Sequence, residues 1–372
     1  MSIDYKVIDS DGHILEPRNM WQEYGDPKFR DRLPRIEVRD NQEIFRVDDE
    51  NIVDTGFGLG FIGAMGNRDK GGTLERNNGG YESGREGGWN PHARITDMDR
   101  EGIDAAFLYP SLGLFVSPIK DPDLAAAGAR AYNRWLADYC GEYPERLFGV
   151  ASLPMQSVEH AIAEMEFAQQ ELGFKAGFLR PNPQQGRVLH DPYYYPLWEA
   201  AQACDFAFGI HEGAASGQPT LGVERYESFA VKHLVSHTFE MMAAAASVIM
   251  CGVCEEFPKL RFGFMEASGG WMAGWLDRMD RHYTDKGLND TNLKTLPSEI
   301  FRRQCFIAFE PVEKCLPSVA EYIGAENILW ATDYPHPDGF WNAARQIQDM
   351  GMPEPLLKDV MATGAKRFYG LN

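Results

Sequence analysis

The feature that most limits what this chain can become is an alternation repeated along its whole length. Short apolar runs, several ending in a polar or punctuating residue, are separated by longer segments whose apolar positions recur at helical spacing. That is the pattern of a parallel βα protein. The predicted strands are residues 6–11, 105–109, 148–153, 176–180, 206–211, 261–266, 305–309 and 328–333. They number about eight, the count at which a parallel sheet closes into a filled cylinder, so the spacing predicts an α/β fold, a (β/α)8 TIM barrel. An open doubly wound sheet is the second architecture. The dinucleotide-binding version of it is weakened because no Gly-x-Gly-x-x-Gly run follows the first strand.

Between the strands, residues 121–139, 158–172, 194–203 and 238–256 carry the Ala, Leu and Met content of helices. Asp121 followed by Pro122 is a start signal for the first of these, and Ser236 is placed to cap the last. An amphipathic segment at 353–369, followed by Gly370 as a stop, is read as the final barrel helix. A chain of 372 residues with 44% hydrophobic content can bury one such core, so a single domain over 1–372 is expected.

Residues 17–91 break the rhythm. They carry a predicted hairpin (36–38 with 44–47) and then a Gly/Asn-rich run around 56–88, too long for an ordinary connection. Because this insertion follows the first strand it emerges at the face where barrel active sites lie, and it is read as a lid or an oligomer contact. A disordered insertion is the alternative. No solenoid repeat or low-complexity tract is present.

Lys and Arg total 36 against 55 Asp and Glu, a formal charge of −19. That repels polyphosphate and anionic lipid, which argues against nucleic acid or a membrane and for a small-molecule substrate. The start, MSIDYKVIDSDGH, lacks a cationic stretch leading into an apolar one. No apolar run is read as approaching the roughly 18 residues that span a bilayer, so a cytoplasmic protein is expected. Six cysteines, Cys140, Cys204, Cys251, Cys254, Cys305 and Cys315, are spread through apolar segments. They suit reduced, buried thiols used in packing. Cys251 and Cys254 form a Cys-x-x-Cys pair, but they fall inside a predicted helix with no second pair, which favours packing over zinc or redox work.

The ligand-type residues fall in one place. Asp11 and His13 end strand one, His211 strand five, Glu266 strand six and Asp333 strand eight. Alternate residues of a strand share a face, so Asp11 and His13 can chelate one ion, with Gly12 leaving room for it. Imidazole with carboxylate suits Zn²⁺, Mn²⁺ or Fe²⁺, ions that polarise a substrate oxygen and acidify bound water.

The segments VIDSDGH, GIHEG, FMEASGGW and WATDYPHPDG resemble the metal-binding signatures of the amidohydrolase superfamily, in its amidohydrolase-related branch that includes metal-dependent decarboxylases. The resemblance covers nearly the whole chain. It extends to RITDMDREGID at 94–104, similar to the branch's first helix leading into strand two, and to residues 257–260 before strand six. It implies a metal-dependent hydrolase or decarboxylase acting on a small carboxylate-bearing substrate. Asp11 and His13 match the first-strand ligand pair, His211 the fifth-strand ligand, and Asp333 the carboxylate that binds metal or moves a proton. Many relatives have His-x-His in strand one, and carboxylate-x-His occurs in the decarboxylases. In strand six many have His where this chain has Glu266. That change implies either a replaced catalytic base or a further ligand, admitting a second ion among Asp333, His336 and Glu16. Some members of the branch use two metals to activate O₂, so a dinuclear non-haem Fe or Mn oxygenase is the alternative. A catalytically silent barrel beside an active paralogue is another, and a homo- or hetero-oligomer with a related barrel is expected.

Other positions have two readings. Arg180 can grip a substrate carboxylate or pair with a neighbouring acid. His237, placed just before the helix at 238–256, can shuttle a proton or simply begin that helix. His336 lies between prolines in YPHPDG, which holds it stiffly over the site. Trp271, with Met272, Trp275 and Met279, recurs at helical spacing. It serves packing, or contacts substrate from the start of its helix.

Overall fold

A computed structural model describes residues 3–48, 52–53, 59–65, 80–213 and 218–371. Much of the Gly/Asn-rich run expected around 56–88 therefore lies outside the described residues. Two compact units are present, one of residues 7–174 and 332–344, the other of residues 1–6, 175–331 and 345–372.

The first unit begins with β1 (Ile8–His13), in which every residue is buried. After α1 (Met20–Tyr24) come the antiparallel strands β2 (Arg35–Arg39), β3 (Gln42–Arg46) and β4 (Ile52–Val53). The expected hairpin is there, and its tight turn is made by Asp40 and Asn41, both at positive φ (50° and 62°). Asp and Asn tolerate that backbone better than most residues. Next, α2 (Pro91–Glu101) starts at Asn90, whose side chain accepts from His92 N and Ala93 N, and stops at Gly102 in the left-handed region. It delivers the chain to β5 (Ala105–Tyr109), as the 94–104 motif implied. Asp121 caps α3 (Pro122–Gly141), with Pro122 in its first turn. Then follow β6 (Leu147–Ser152) and α4 (Val158–Gln170). Strands β1, β5 and β6 pair in parallel, with a register shift between Asp9 and Gly12.

The second unit runs β7 (Ala176–Leu179), α5 (Tyr195–Ala203), β8 (Ala207–Ile210), α6 (Phe229–Ile249), α7 (Val253–Glu256), β9 (Arg261–Phe264), α8 (Trp271–Thr284), α9 (Pro297–Gln304), β10 (Cys305–Phe309), α10 (Leu316–Ile323) and β11 (Ile328–Trp330). Its five strands pair in parallel, each with the next. On the face that meets α5, Phe208 of β8 stacks on Phe262 of β9 at 5.9 Å, and Trp198 of the helix meets both edge-on. The closing helical segment, Glu354–Lys358 through Gly364–Tyr369, ends at Gly370 with φ 66°, the stop that was expected.

Several boundaries differ from the sequence reading. Strands six and eight end at Phe264 and Trp330 rather than at 266 and 333. The cause is local: Glu266 (φ 42°) and Asp333 (φ 52°) take the left-handed backbone, which cannot continue a ladder. The helix expected at 238–256 begins at Phe229 and ends at Ile249, so Ser236 is no cap and His237 lies inside α6. Gly252, at φ 92°, separates α6 from α7. Cys251 consequently falls in an exposed turn. Cys315 is also exposed, so the expectation of buried thiols fails at both, while Cys254 and Cys305 pack at 3.8 Å between sulfurs. The membrane expectation needs correction too. Residues 229–256 are long and apolar enough to cross a bilayer by composition, with half of the window buried inside the protein. Ala and Met supply that hydropathy on a helix packed against its own unit.

Candidate active site

In the first unit the end of β1 meets the loop after β11. His13 is fully buried, and its Nδ1 lies 2.8 Å from the Pro110 carbonyl. A carbonyl only accepts, so Nδ1 carries the hydrogen and the ring turns Nε2 toward acids. Nε2 is 3.7 Å from Asp11 Oδ1 and 3.4 Å from Asp333 Oδ1. Asp333 Oδ1 is also 2.9 Å from His336 Nδ1. The ligand atoms of His13, Asp333 and His336 all lie within 4.8 Å of one another.

His336 continues into a relay. Its Nε2 is 2.7 Å from Ser111 Oγ, and Ser111 gives its own hydroxyl hydrogen to the Ile14 carbonyl. Ser111 Oγ is therefore the acceptor, and His336 Nε2 carries a hydrogen. The remaining contact, Nδ1 to the Asp333 carboxylate, then sets a lone pair against an acid, an arrangement that one proton or a shared cation between the two residues satisfies.

Glu16, expected as a ligand for a second ion, is engaged elsewhere. Its carboxylate accepts from the backbone N–H groups of Ser111, Leu112 and Gly113. Burial pushes its carboxyl up to about 7 against those donors. It fixes the turn carrying Ser111.

Beneath β1 lies a support that sequence reasoning missed. Arg94 donates to the His13 carbonyl at 2.7 Å, its guanidinium carbon sits 4.2 Å from the centre of the Tyr334 ring, and Nη2 is 3.8 Å from Asp9 Oδ2. Asp9 accepts in turn from Thr332 N at 3.0 Å and Thr332 Oγ1 at 2.6 Å. Burial raises the Asp9 carboxyl even with Arg94 beside it. A Cβ on Gly12 would overlap Arg94 Nη2 and stand 2.9 Å from Asp9 Oδ2. Gly12 therefore makes room for this buried pair, a requirement distinct from the room for an ion that the sequence suggested.

The second unit presents a matching set. His211, fully buried, places Nδ1 2.6 Å from the Glu212 carbonyl and Nε2 2.7 Å from Glu266 Oε2. Glu266 Oε1 is 3.6 Å from His237 Nε2. His237 places Nδ1 2.9 Å from the His233 carbonyl, and burial drives its pKa down to about 3, so it is a neutral imidazole. Arg180 is held by Glu212 at 2.7 Å and by the Asn182 oxygen at 3.0 Å, which realises the pairing alternative. Trp271 gives its indole N–H to the carbonyls of Ala267 and Ser268, leaving only its ring for other contacts. Glu212 and His233 were not singled out from sequence. GIHEG contains the first, and the His-x-x-x-His spacing of HLVSH was the signal for the second.

One pattern recurs: His13, His211 and His237 each commit Nδ1–H to a main-chain carbonyl and turn Nε2 toward carboxylate oxygen. An imidazole lone pair and a carboxylate repel unless a cation lies between them, and this orientation by carbonyls is how metal-binding histidines are held. The donor set fits a divalent transition ion.

Parallel βα units with imidazole and carboxylate groups at their strand ends define the class of metal-dependent barrel hydrolases and lyases. The chain belongs to the amidohydrolase family, whose model, described as Amidohydrolase, matches residues 8–371. It is 25% identical over 293 residues to 2-amino-3-carboxymuconate-6-semialdehyde decarboxylase of Dictyostelium discoideum, covering 76% of this chain and 77% of that protein. Its fold matches an amidohydrolase from Mycobacterium avium subsp. paratuberculosis K-10, with a TM-score of 0.80, 22% identity, and 99% and 100% of the two chains covered. It also matches a 5-carboxyvanillate decarboxylase from Novosphingobium aromaticivorans with bound manganese and 4-hydroxy-3-methoxy-5-nitrobenzoic acid (TM-score 0.70, 21% identity, 99% and 97% covered). The fold is thus the expected (β/α)8 barrel, and the protein is a metal-dependent enzyme of the hydrolase and lyase class.

Proposed function

We propose that this protein is a decarboxylase of small carboxylated aromatic compounds that works with one catalytic divalent ion. The observation that carries the reading is the contact of Asp333 Oδ1 with His336 Nδ1 at 2.9 Å, a place where a proton can be held, because loss of CO₂ from an aromatic ring needs a proton delivered to the vacated carbon. The aromatic 5-carboxyvanillate named for one neighbour supports the substrate class, and the decarboxylase from Dictyostelium discoideum supports the loss of CO₂.

Strand ends of a barrel share one rim, and on that ground we assign Asp11, His13, His211 and Asp333 to the ion. Manganese in the decarboxylase from Novosphingobium aromaticivorans supports Mn²⁺ ahead of Zn²⁺ or Fe²⁺. A bound ion would orient and polarise a substrate oxygen. A single proton shared between Asp333 Oδ1 and His336 Nδ1 passes from Asp333 to the vacated carbon, water restores it after turnover, and Ser111 keeps the His336 ring in the tautomer that leaves Nδ1 facing Asp333. Glu266 turns Oε2 toward Nε2 of His211 and Oε1 toward Nε2 of His237, and so adds negative charge beside the ligand that His211 offers the ion. Arg180, pre-aligned by Glu212 and Asn182, receives the substrate carboxylate, and the Trp271 ring packs on its aromatic face. The insertion at 17–91 serves as a lid or as the contact between subunits of an oligomer.

The test is to incubate Mn²⁺-loaded protein with ortho-hydroxybenzoates, among them 5-carboxyvanillate, in D₂O. The expected result is CO₂ release with deuterium at the vacated ring position, abolished together with bound metal in His211→Ala. Turnover that persists in fully metal-stripped protein, or hydrolysis without CO₂ release across amide and ester panels, would overturn it.

A further inference from the structure

Asn182 follows β7 closely in sequence and is almost fully buried. Its Oδ1 accepts from Arg180 Nε at 3.1 Å and from Arg180 Nη2 at 3.0 Å. Its Nδ2 donates to the Pro219 carbonyl and to Thr220 Oγ1, each at 3.2 Å. The partners fix which way the amide faces. A guanidinium only donates, so the oxygen meets Arg180, and a carbonyl only accepts, so the nitrogen meets Pro219. Thr220 gives its own hydroxyl hydrogen to the Gln218 carbonyl at 3.1 Å, which leaves Oγ1 to accept from the same nitrogen. Aspartate in this place would satisfy the guanidinium but turn a negative oxygen on the Pro219 carbonyl, and an aliphatic side chain would satisfy neither.

These contacts close a ring at the guanidinium. The connection from β8 to α6 leaves the sheet at Glu212, which accepts from Arg180 Nη2 at 2.7 Å, and returns at Pro219 and Thr220, which reach Arg180 through Asn182. Just beyond, Leu221 N donates to Glu240 Oε1 of α6 at 2.6 Å. Residues 219–221 are therefore tied on one side to Arg180 through a single amide and on the other to a buried carboxylate. Arg180, Asn182, Glu212 and Glu240 are each 6% exposed or less, so water screens these bonds little and the loss of one partner is felt by the others.

We propose that Asn182 is a positioning residue that couples the carboxylate grip of Arg180 to the order of residues 218–221. A substrate carboxylate held by Arg180 steadies this stretch, and loosening the stretch weakens the grip. The inference rests on the assignment of Arg180 to the substrate carboxylate in the function proposed above. Coupling between two sites is reciprocal, so it can be read from either side.

The experiment uses Mn²⁺-loaded full-length protein and 2-hydroxybenzoate as the probe, with Kd from calorimetric titration and amide hydrogen exchange of residues 218–228 from mass spectrometry. In the native chain the probe should slow exchange at 218–228. In Asn182→Ala exchange without the probe should be several-fold faster, the probe should no longer slow it, and Kd should rise several-fold. Asn182→Asp keeps an acceptor for Arg180 but repels the Pro219 carbonyl, so its exchange should be as fast as in Asn182→Ala, with circular dichroism and melting showing that both variants are folded. Glu240→Ala unties Leu221 from the other side and should raise Kd several-fold in the native chain but leave it unchanged in Asn182→Ala, where the link it acts through is already gone. Unchanged exchange in both folded Asn182 variants, or effects of Glu240→Ala and Asn182→Ala on Kd that simply multiply, would overturn the inference while leaving the function intact. A native chain that does not bind the probe, or an Arg180→Lys variant that binds it as tightly, fails the assignment of Arg180 and the inference with it.

Discussion

Arg94 and Asp9 form a buried ion pair, Nη2 to Oδ2 at 3.8 Å, beside Asp11 and His13, the β1 residues proposed to hold the ion. Through Arg94 the pair holds the His13 carbonyl, and through Asp9 it holds Thr332, the residue before Asp333. One cation and one anion thus set the spacing between two elements of the same unit that carry proposed ligands. Removing one partner from such a pair strands the other charge, at a cost of about 3–5 kcal/mol. Arg94→Met should lose stability of that order in urea denaturation and bind Mn²⁺ more weakly. Arg94→Met with Asp9→Leu should recover part of the stability without recovering metal affinity. A single mutant as stable and as metal-competent as the native chain would contradict this.

Gly12→Ala tests the same support from the backbone side. The added methyl would overlap Arg94 Nη2 and crowd Asp9 Oδ2 at 2.9 Å, and overpacking of this kind costs about 1–3 kcal/mol. The expected outcome is reduced stability together with reduced Mn²⁺ affinity in calorimetric titration. Gly173→Ala is the control: nothing lies within 4 Å of its Cβ, but φ is 73°, so about 1 kcal/mol of stability should be lost with no change in metal binding.

What could be read from sequence divides along physical lines. Strand positions were legible because burial imposes a short apolar period, and Asp11, His13, His211 and Asp333 stood out as ligand types at the ends of such runs. The left-handed turns at Glu266 and Asp333 were not legible, because neither residue advertises that backbone as glycine does. The start of α6 was misplaced for a different reason. Its first two turns carry Lys232, His233 and Ser236, polar residues that dilute the helical period, while the apolar stretch that follows is dense enough to pass for a membrane span. Arg94 was quoted within a motif but given no role, since a lone arginine on a helix is usually solvated and its burial depends on Gly12 and Asp9 far away in sequence.

Arg180 and Glu212 make a second buried pair at 2.7 Å, and here stability and substrate binding should separate. Glu212→Ala leaves the guanidinium buried without its partner and should cost about 3–5 kcal/mol in denaturant melts. Arg180→Lys keeps the charge and loses the planar fork, so it should raise KM for a carboxylated substrate several-fold while kcat falls less. Equal losses in kcat and kcat/KM with unchanged KM would assign Arg180 to the transition state rather than to carboxylate binding.

Metal removal should be visible in the fold as well as in the chemistry. Buried imidazoles and carboxylates that face one another across 3.4–3.7 Å at His13 repel in the stripped protein and attract a shared cation in the loaded one. A ligand present at a hundredfold its Kd stabilises the folded state by about 2.7 kcal/mol. Mn²⁺ added to chelator-treated protein should therefore raise Tm by several degrees and restore turnover, with half-maximal effects at the same free Mn²⁺ concentration. His13→Ala should lose both responses. A stripped protein whose Tm does not move with Mn²⁺, while turnover still returns, would mean that these residues do not hold the ion and that the catalytic metal binds elsewhere.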